Sequence, residues 1–313
     1  MNVTMTSGVT GINLMTPTTH VTVCICTFKR PALLPNLLGR LASQRTDGLF
    51  TYDVVIADND AARSSERAVQ EFAATSTLSI SYCVEPEQNI ALVRNLAVAQ
   101  ATGDLVAFID DDELPASDWL FQLLRASVTY QVTAVLGPVL PQFAEEPPAW
   151  IRKGKFFDRP RHLTGTSIEW PEARTGNVLL TRGVWRRLDP PFRVQFGSGG
   201  EDVDFFRRLV DQGESLVWCD EAPVHEVIPA YRCTRRFLMR RAVLRGSNFP
   251  KQSGHKVKNT LKSVIAVPCY TIALPALALL GQHHFVSYLV KLLDHASRLL
   301  ALAGLRLSTV RET

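Results

Sequence analysis

The sequence lacks several features that mark secreted proteins. Its six cysteines form no Cys-x-x-Cys pair, and several of them lie in apolar runs, where a free thiol behaves as a small hydrophobe. Residues 1–20 contain no basic segment and no long apolar core, which argues against a secretory signal. We therefore expect a protein of the cytoplasm, which is a reducing compartment.

Acidic residues are absent from one long segment. No Asp or Glu occurs between Val227 and Leu293, although 11 of the 34 Lys and Arg residues lie there. The rest of the chain carries 23 basic residues against 30 acidic ones, so a mildly acidic body is joined to a strongly basic C-terminal part. The basic run is followed directly by uncharged residues, which favours an anionic membrane surface over a nucleic acid as its partner.

The uncharged segment SVIAVPCYTIALPALALLGQ, residues 263–282, is close in length to a helix that crosses a bilayer. Pro268 and Pro275 lie inside it and argue against a simple span. Three interpretations stay open: an in-plane or re-entrant membrane contact, which the preceding basic run favours, a true span, or a buried core or oligomer helix.

Strand-like and helix-like patterns alternate through the first half of the chain. Strands are predicted at HVTVCICTF, YDVVIAD, LSISYCV and DLVAFID, with one helix after each. Single helices between strands imply right-handed crossovers and a mostly parallel sheet with helices on both faces. The fold class is therefore α/β. TAVLGPVL is predicted as a further strand, and the irregular residues 141–175 are typical of a functional or mobile segment.

Four consecutive acids, Asp110 to Glu113, follow the strand DLVAFID, and Asp58 ends the strand YDVVIAD. The carboxyl ends of parallel strands meet at one edge of the sheet, so Asp58 and Asp110 should face the same crevice. Mg²⁺ and Mn²⁺ prefer oxygen ligands, and Mg²⁺ is often held by one or two carboxylates plus substrate phosphates. The alternative is a solvated turn that caps the helix starting near Ser117.

Four segments taken in order resemble the inverting family 2 glycosyltransferases. They are VCICTFKRP, VVIADND, QNIALVRNLAVAQATGDLVAFIDDDELP and GGEDVDFFRRL, and the resemblance covers about residues 21 to 245. The resemblance implies a GT-A fold with a Rossmann-like sheet, a nucleoside-diphosphate sugar donor, with UDP-sugars favoured, and a divalent cation, Mg²⁺ or Mn²⁺.

The predicted domains are a flexible leader (1–19), a GT-A catalytic domain (20–250), and a basic, apolar helical region that associates with a membrane (251–313). The catalytic domain is predicted to consist of a nucleotide-sugar half (20–140) and an acceptor half (141–250).

The resemblance also implies roles for donor-side residues. The predicted contacts to the nucleotide-sugar are Thr27, Arg30, Asp58, Arg94, Asp110 and Asp111. The predicted metal ligands are Asp112, Asp110 and His225, and which acid of the triplet touches the metal stays open. For Arg94 the alternative is a salt bridge that fixes the acidic loop, and for His225 it is a structural role.

The segment GGEDVDF supplies the acceptor side of the predicted site. A sugar hydroxyl needs a base within hydrogen-bond reach as it attacks, and Asp202 matches the base of the family, while Glu201 orients the acceptor or supports the loop. The alternative is that both acids only stabilise a helix N-terminus. The predicted acceptor contacts are Trp170, Gly176, Asn177 and Gly200. Core packing is the alternative for Trp170.

The sequence thus predicts an inverting glycosyltransferase that acts on a saccharide or lipid-linked saccharide of cell-surface polysaccharide synthesis, at the cytoplasmic face of the membrane. A catalytically silent relative that serves as a membrane-bound assembly partner should have lost an acidic motif, and both motifs are present. A sugar-nucleotide pyrophosphorylase should open on a glycine-rich phosphate loop, which CICTFKRP does not contain.

Overall fold

The computed structural model describes residues 19–248 and 256–305. The predicted leader lies outside the described residues except for Thr19. Residues 251–255 and 306–313 of the predicted C-terminal region lie outside them as well. The strands are β1 (His20–Thr27), β2 (Thr51–Asp58), β3 (Ile80–Val84), β4 (Leu105–Asp110), β5 (Glu113–Pro115), β6 (Ala134–Leu136), β7 (Val139–Phe143), β8 (Asn177–Thr181), β9 (Leu216–Trp218) and β10 (Val224–Ile228).

The helices are α1 (Leu34–Ala42), α2 (Glu66–Ala73), α3 (Ile90–Gln100), α4 (Trp119–Tyr130), α5 (Ala149–Gly154), α6 (Gly183–Arg187), α7 (Glu201–Asp211), α8 (Arg235–Ser247), α9 (Lys256–Leu280) and α10 (Gln282–Leu302). The start of α7 agrees with the helix predicted to begin near Glu201.

Seven strands form the main sheet in the order β3-β2-β1-β4-β8-β6-β9. Only β8 runs antiparallel to its neighbours, β4 and β6, so the predicted mostly parallel sheet is confirmed. The chain runs outward from β1 to β3 and then returns to place β4 on the other side of β1. Strand order therefore reverses between β1 and β4, and open α/β sheets bind their ligands at such a point, beyond the carboxyl ends of the strands.

Helices cover both faces of this sheet because the buried side chains of β1 alternate. Val23 and Ile25 point into a core that contains the leucines of α1 and α4. Cys24 points the other way, into a core formed with α3 and α7. A chain with apolar residues at successive strand positions needs an apolar layer on each side, and these helices provide it.

The prediction of one strand at TAVLGPVL was wrong. The segment divides into β6 in the main sheet and β7 in a second sheet of order β5-β10-β7. A Cβ at Gly137 would lie 2.4 Å from the Ala222 carbonyl and 2.5 Å from the Asn177 amide, so only glycine fits this crossing. Pro138 follows and has no N–H to continue the ladder.

The three C-terminal helices, α8 to α10, pack against one another and against α5. Val286 of α10 is fully buried in a third apolar cluster with Ile151 of α5 and Leu238 of α8. Helix α9 packs along α10, where the Ser263 hydroxyl lies 2.9 Å from the His295 ring and Tyr270 meets Tyr288 edge to face. Helix α10 thus lies between α9 and the rest of the protein.

Candidate active site

The predicted donor-side residues converge where β1, β2 and β4 end. Cys26 of β1 pairs with Asp110, and Thr27 pairs with Asp58. Ile109 pairs with Asn177 on the antiparallel strand β8, which brings the start of β8 against the acids. These strand ends lie at the reversal of strand order described above.

The loop after β1 holds the middle acid of the triplet. The Thr27 hydroxyl donates a hydrogen bond of 2.8 Å to Asp111, and Arg30 donates one of 3.0 Å to its other oxygen. Burial raises the pKa of the Asp111 carboxyl to about 6, although Arg30 and Thr27 oppose this effect. Asp111 is therefore directed toward the protein, and it fixes the loop that contains two of the predicted nucleotide contacts, Thr27 and Arg30.

Asp112 lies between two guanidinium groups. Arg232 donates to its Oδ2 at 3.0 Å and Arg30 at 3.4 Å, and its side chain is 12% exposed. Arg232 also donates to Glu226 at 3.1 Å, and Glu226 in turn accepts from Arg159 at 2.5 Å. This chain of alternating charges connects the acid triplet to β10 and to the start of α8.

Asp110 is the most open acid of the triplet, with a side chain that is 44% exposed. A Cβ at Gly176 would lie 3.1 Å from its Oδ2 and 2.7 Å from a Glu113 carboxyl oxygen. The lack of a side chain at Gly176 therefore lets β8 approach both carboxyl groups.

Glu113, which the sequence analysis left without a role, is completely buried beneath the triplet. The backbone N–H of Asp110 donates to its Oε2 at 3.1 Å. Burial raises its pKa well above the ordinary glutamate value, and the nearby Asp110 raises it further. Its backbone pairs with Glu226 of β10. This long-range pairing turns Glu113 inward. In the sequence, the only sign that one of these acids is buried was the crowding of four acids in a row.

Arg94 connects the two acidic motifs. Its guanidinium forms an ion pair with Glu201 at the start of α7 and lies 3.6 Å from Asp110. Burial alone would lower its pKa, but Glu201 and Asp110 raise it above the ordinary arginine value. The structure therefore shows the salt bridge that was the alternative for Arg94. The pair is buried, since the Arg94 side chain is only 9% exposed. Its nucleotide contact stays a prediction.

Asp202 lies in the first turn of α7, directly after Glu201. Gly199 and Gly200 precede the helix with φ of +120° and +92°, a conformation that favours glycine and makes the turn sharp. The Asp202 carboxylate accepts a hydrogen bond of 2.8 Å from the N–H of Val203, and it lies 3.9 Å from Arg174. Arg174, in the irregular segment, is a positive neighbour of this acid that the sequence analysis did not identify, because the two residues are 28 positions apart.

Asp58 lies at the predicted edge of the sheet but is completely buried. Its carboxylate accepts hydrogen bonds from the N–H groups of Asp60 and Ser65, both at 3.0 Å, and from the Tyr82 hydroxyl at 2.8 Å. It organises the loop after β2, and its contact with the nucleotide stays a prediction.

Asn177 is part of the scaffold in this structure. Its amide accepts from the Trp119 indole at 2.8 Å and donates to the carbonyls of Pro138 and Ala222. At 2% exposure it has almost no surface to offer an acceptor, because its side chain is bonded to α4 and to the loops before β7 and β10. Trp170 is half-buried against the core beside α3 and α7, so its indole can offer an acceptor only part of its surface.

The acids fit a cation of the kind that carboxylates and substrate phosphates hold together. Asp110 provides an open carboxylate and Asp112 a second one nearby. Within residues 19–248 and 256–305, no group of three His, Cys, Asp or Glu side chains is placed to hold a metal alone. His225 does not join them, because it alternates with Glu226 along β10 and lines a different pocket, with Arg40 and Gln142.

Comparison with known proteins identifies relatives of the chain. The family model described as Glycosyl transferase family 2 matches residues 22–182. Succinoglycan biosynthesis protein ExoM of Rhizobium meliloti (strain 1021) is 36% identical over 228 residues, which are 72% of this chain and 72% of that protein.

Two solved structures share the fold. The mannosyltransferase PcManGT from Pyrobaculum calidifontis, in complex with GDP-Man and Mn²⁺, has a TM-score of 0.60 at 20% identity, covering 93% of this chain and 88% of that one. S. aureus TarS 1–349 in complex with UDP has a TM-score of 0.51 at 14% identity, covering 91% and 92%. These likenesses confirm the predicted GT-A fold.

Proposed function

This chain belongs to glycosyl transferase family 2, and we propose on that basis that it transfers a sugar from a nucleoside-diphosphate sugar to an acceptor hydroxyl with inversion at the anomeric carbon. One observation carries the proposal: the buried Arg94 contacts both the open acid Asp110 and Glu201, the neighbour of Asp202. In the proposed transfer, Arg94 would thereby connect the residues that bind the diphosphate to the segment that carries the base.

On the donor side, the diphosphate would lie beyond the ends of β1 and β4. Asp110 and Asp112 would hold a divalent cation together with the diphosphate oxygens, and the cation would neutralise the charge that grows on the leaving group. Thr27 and Arg30 keep the β1 loop against Asp111, so the nucleotide would meet a fixed wall. The solved relatives bound to GDP-Man with Mn²⁺ and to UDP support this class of donor.

On the acceptor side, Asp202 would act as the base. Its carboxylate would take the proton of the acceptor hydroxyl as that oxygen forms a bond to the anomeric carbon. The bond from that carbon to the diphosphate oxygen breaks in the same step. Because the hydroxyl attacks from the face opposite the diphosphate, the configuration at the anomeric carbon inverts. Glu201 cannot serve as this base, because its ion pair with Arg94 is buried.

The acceptor would be a saccharide of cell-surface polysaccharide synthesis, carried on a lipid at the cytoplasmic face of the membrane. The relative ExoM, a succinoglycan biosynthesis protein, supports the polysaccharide. Helix α9 supports the membrane, since the most apolar 18 residues within 257–280 have a mean hydropathy of 2.0 and only 6% of that stretch is buried.

A donor panel tests the proposal. Release of nucleoside diphosphate from UDP- and GDP-sugars is measured with Mg²⁺ or Mn²⁺, with and without EDTA. We expect turnover of one donor class, its loss with EDTA, and a loss of at least about 100-fold in Asp202→Asn. Asp47→Asn is the matched control, because Asp47 lies in an exposed turn with a φ of +50°, which asparagine tolerates. Unchanged turnover with EDTA would exclude the metal.

A further inference from the structure

Helix α9 presents a long apolar face to the outside of the protein. Leu261 is 60% exposed, Ile265 57%, Ile272 80% and Leu279 90%. These residues recur at spacings of four or seven and lie along one side of the helix. An apolar face of this length on a soluble surface indicates a partner that covers it.

The opposite side of α9 is fixed to the protein. Ser263 is completely buried and bonded to His295, and Tyr270 contacts both His295 and Tyr288. Immediately after α9, the Gln282 side-chain oxygen, in the amide orientation that satisfies both of its groups, accepts from Arg235 and from the Trp150 indole at 2.7 and 3.2 Å. The helix is therefore held to the folded body near both of its ends.

Helix α10, to which α9 is bound, is docked along its length. Val286 is buried near its start, and Ala301 is only 8% exposed near its end. Between them, Asp294 pairs with Arg245 of α8 at 2.8 Å and with Arg298 at 3.2 Å. These charged groups belong to the interface between α8 and α10, close beside α9.

This attachment argues against a true span, and the exposure of α9 argues against a core helix. The 25 residues of α9 extend about 37 Å, and a spanning helix places its ends on opposite sides of a hydrocarbon core about 30 Å thick. Because α9 packs along α10, which is itself bound to α8, a span would carry Lys291, Asp294 and Arg298 into the lipid, where charged side chains are strongly disfavoured. A buried core helix is excluded by the exposure of its outer face.

We infer that α9 lies in the plane of the membrane surface, with its outer face inserted among the acyl chains of an anionic bilayer. This inference rests on the membrane location proposed above. Lys258 and Lys262 lie exposed at the N-terminal end of the same face, where they meet lipid phosphates. The partner is lipid because the face combines these lysines with an apolar stripe longer than 20 Å, and exposed acidic residues are absent from α9.

Cys269 gives a direct measure of depth. It lies on the outer face of α9 and is the one exposed cysteine in the described part of the chain. In a span it would lie about 16 Å along the axis from Lys258, near the bilayer centre. In the plane it would lie about 5–10 Å deep.

The experiment labels the full-length protein at Cys269 with a fluorophore and adds vesicles of phosphatidylglycerol and phosphatidylcholine that carry a quencher high or low on the acyl chain. We expect the shallow quencher to act more strongly, both at Cys269 and at a second label in Leu279→Cys. Stronger quenching by the deep probe at Cys269 would overturn the inference in favour of a span.

Two substitutions test which surface binds. Ile272→Asp should reduce the partition onto these vesicles by about tenfold or more. Leu163→Asp makes the same kind of change at a side chain that is 84% exposed and outside α9, and it should leave partition unchanged. Equal loss in both variants would overturn the inference, as would equal binding to vesicles of phosphatidylcholine alone. The alternative partner for this face of α9 is a second copy of the chain, which sedimentation without lipid detects. A dimer that Ile272→Asp dissociates would also overturn the inference.

The same variants separate this inference from the proposed function. Ile272→Asp should keep its release of nucleoside diphosphate from the soluble donor, because the side-chain contacts found for α9 in the described part of the chain are with α10. If the wild type binds no vesicles but turns over the donor, the membrane inference fails and the proposed transfer stands. If it binds vesicles in the plane but turns over no donor, the proposed function fails and the inference stands.

Discussion

The ion pair between Arg94 and Glu201 allows a quantitative test of how the two halves of the site are held together. Both side chains are buried, at 9% and 5% exposure, so the weak energies of surface pairs do not apply. Removing one partner of a buried pair leaves an uncompensated charge and costs about 3–5 kcal/mol. We therefore expect Arg94→Met to lower the free energy of unfolding by about that amount.

A double-mutant cycle separates this effect from a general loss of packing. Arg94→Met with Glu201→Leu removes both charges, and replacing a buried pair by apolar residues is often neutral or stabilising. The double variant should therefore be more stable than Arg94→Met alone. Urea unfolding followed by circular dichroism measures the stability of Arg94→Met, of Glu201→Leu and of the double variant.

A matched control is Arg67→Met, which makes the same exchange in the exposed pair with Glu71 on α2, where the arginine is 88% exposed. It should leave the unfolding midpoint unchanged. The reasoning would be refuted if Arg94→Met behaved like this control, or if the double variant were less stable than both single ones.

Two further predictions follow from the geometry. Gly176→Ala should reduce donor turnover at least about tenfold, because its Cβ would lie 2.7 Å from the Glu113 carboxyl. The control is Gly183→Ala, whose Cβ would meet no atom within 4 Å, so this variant should keep its turnover and its stability. Burial raises the pKa of Cys26 to about 12 and of Cys83 to about 11, so at pH 7.5 these groups stay protonated and react slowly. A thiol reagent should rapidly modify one cysteine in the folded chain, Cys269, and all six after denaturation; rapid reaction of several would contradict this reading.

The sequence predicted the first half of the fold well because its signals are local. The strands β1 to β4 are continuous apolar runs, and each ends where a polar loop begins, so Asp58 and Asp110 could be placed at one edge in advance. The acids of GGEDVDF could be placed at a helix start for the same reason.

Pairings across long distances in the chain could not be predicted in the same way. Glu113 turns inward because β5 pairs with β10, more than 110 residues later, and this pairing has no local signal. His225 and Glu226 are neighbours in sequence, but only the pairing of β10 decides which of them faces Arg232. Gly137 separates β6 from β7 through contacts with Asn177 and Ala222, which are equally remote.

The central claim is that Asp202 is the base of an inverting transfer, and one measurement tests it most directly. The donor that the wild type turns over is incubated with Asp202→Asn, its binding is measured by calorimetry, and its turnover by release of nucleoside diphosphate. The account predicts binding close to that of the wild type and turnover reduced at least about 100-fold. Full turnover in Asp202→Asn would contradict it.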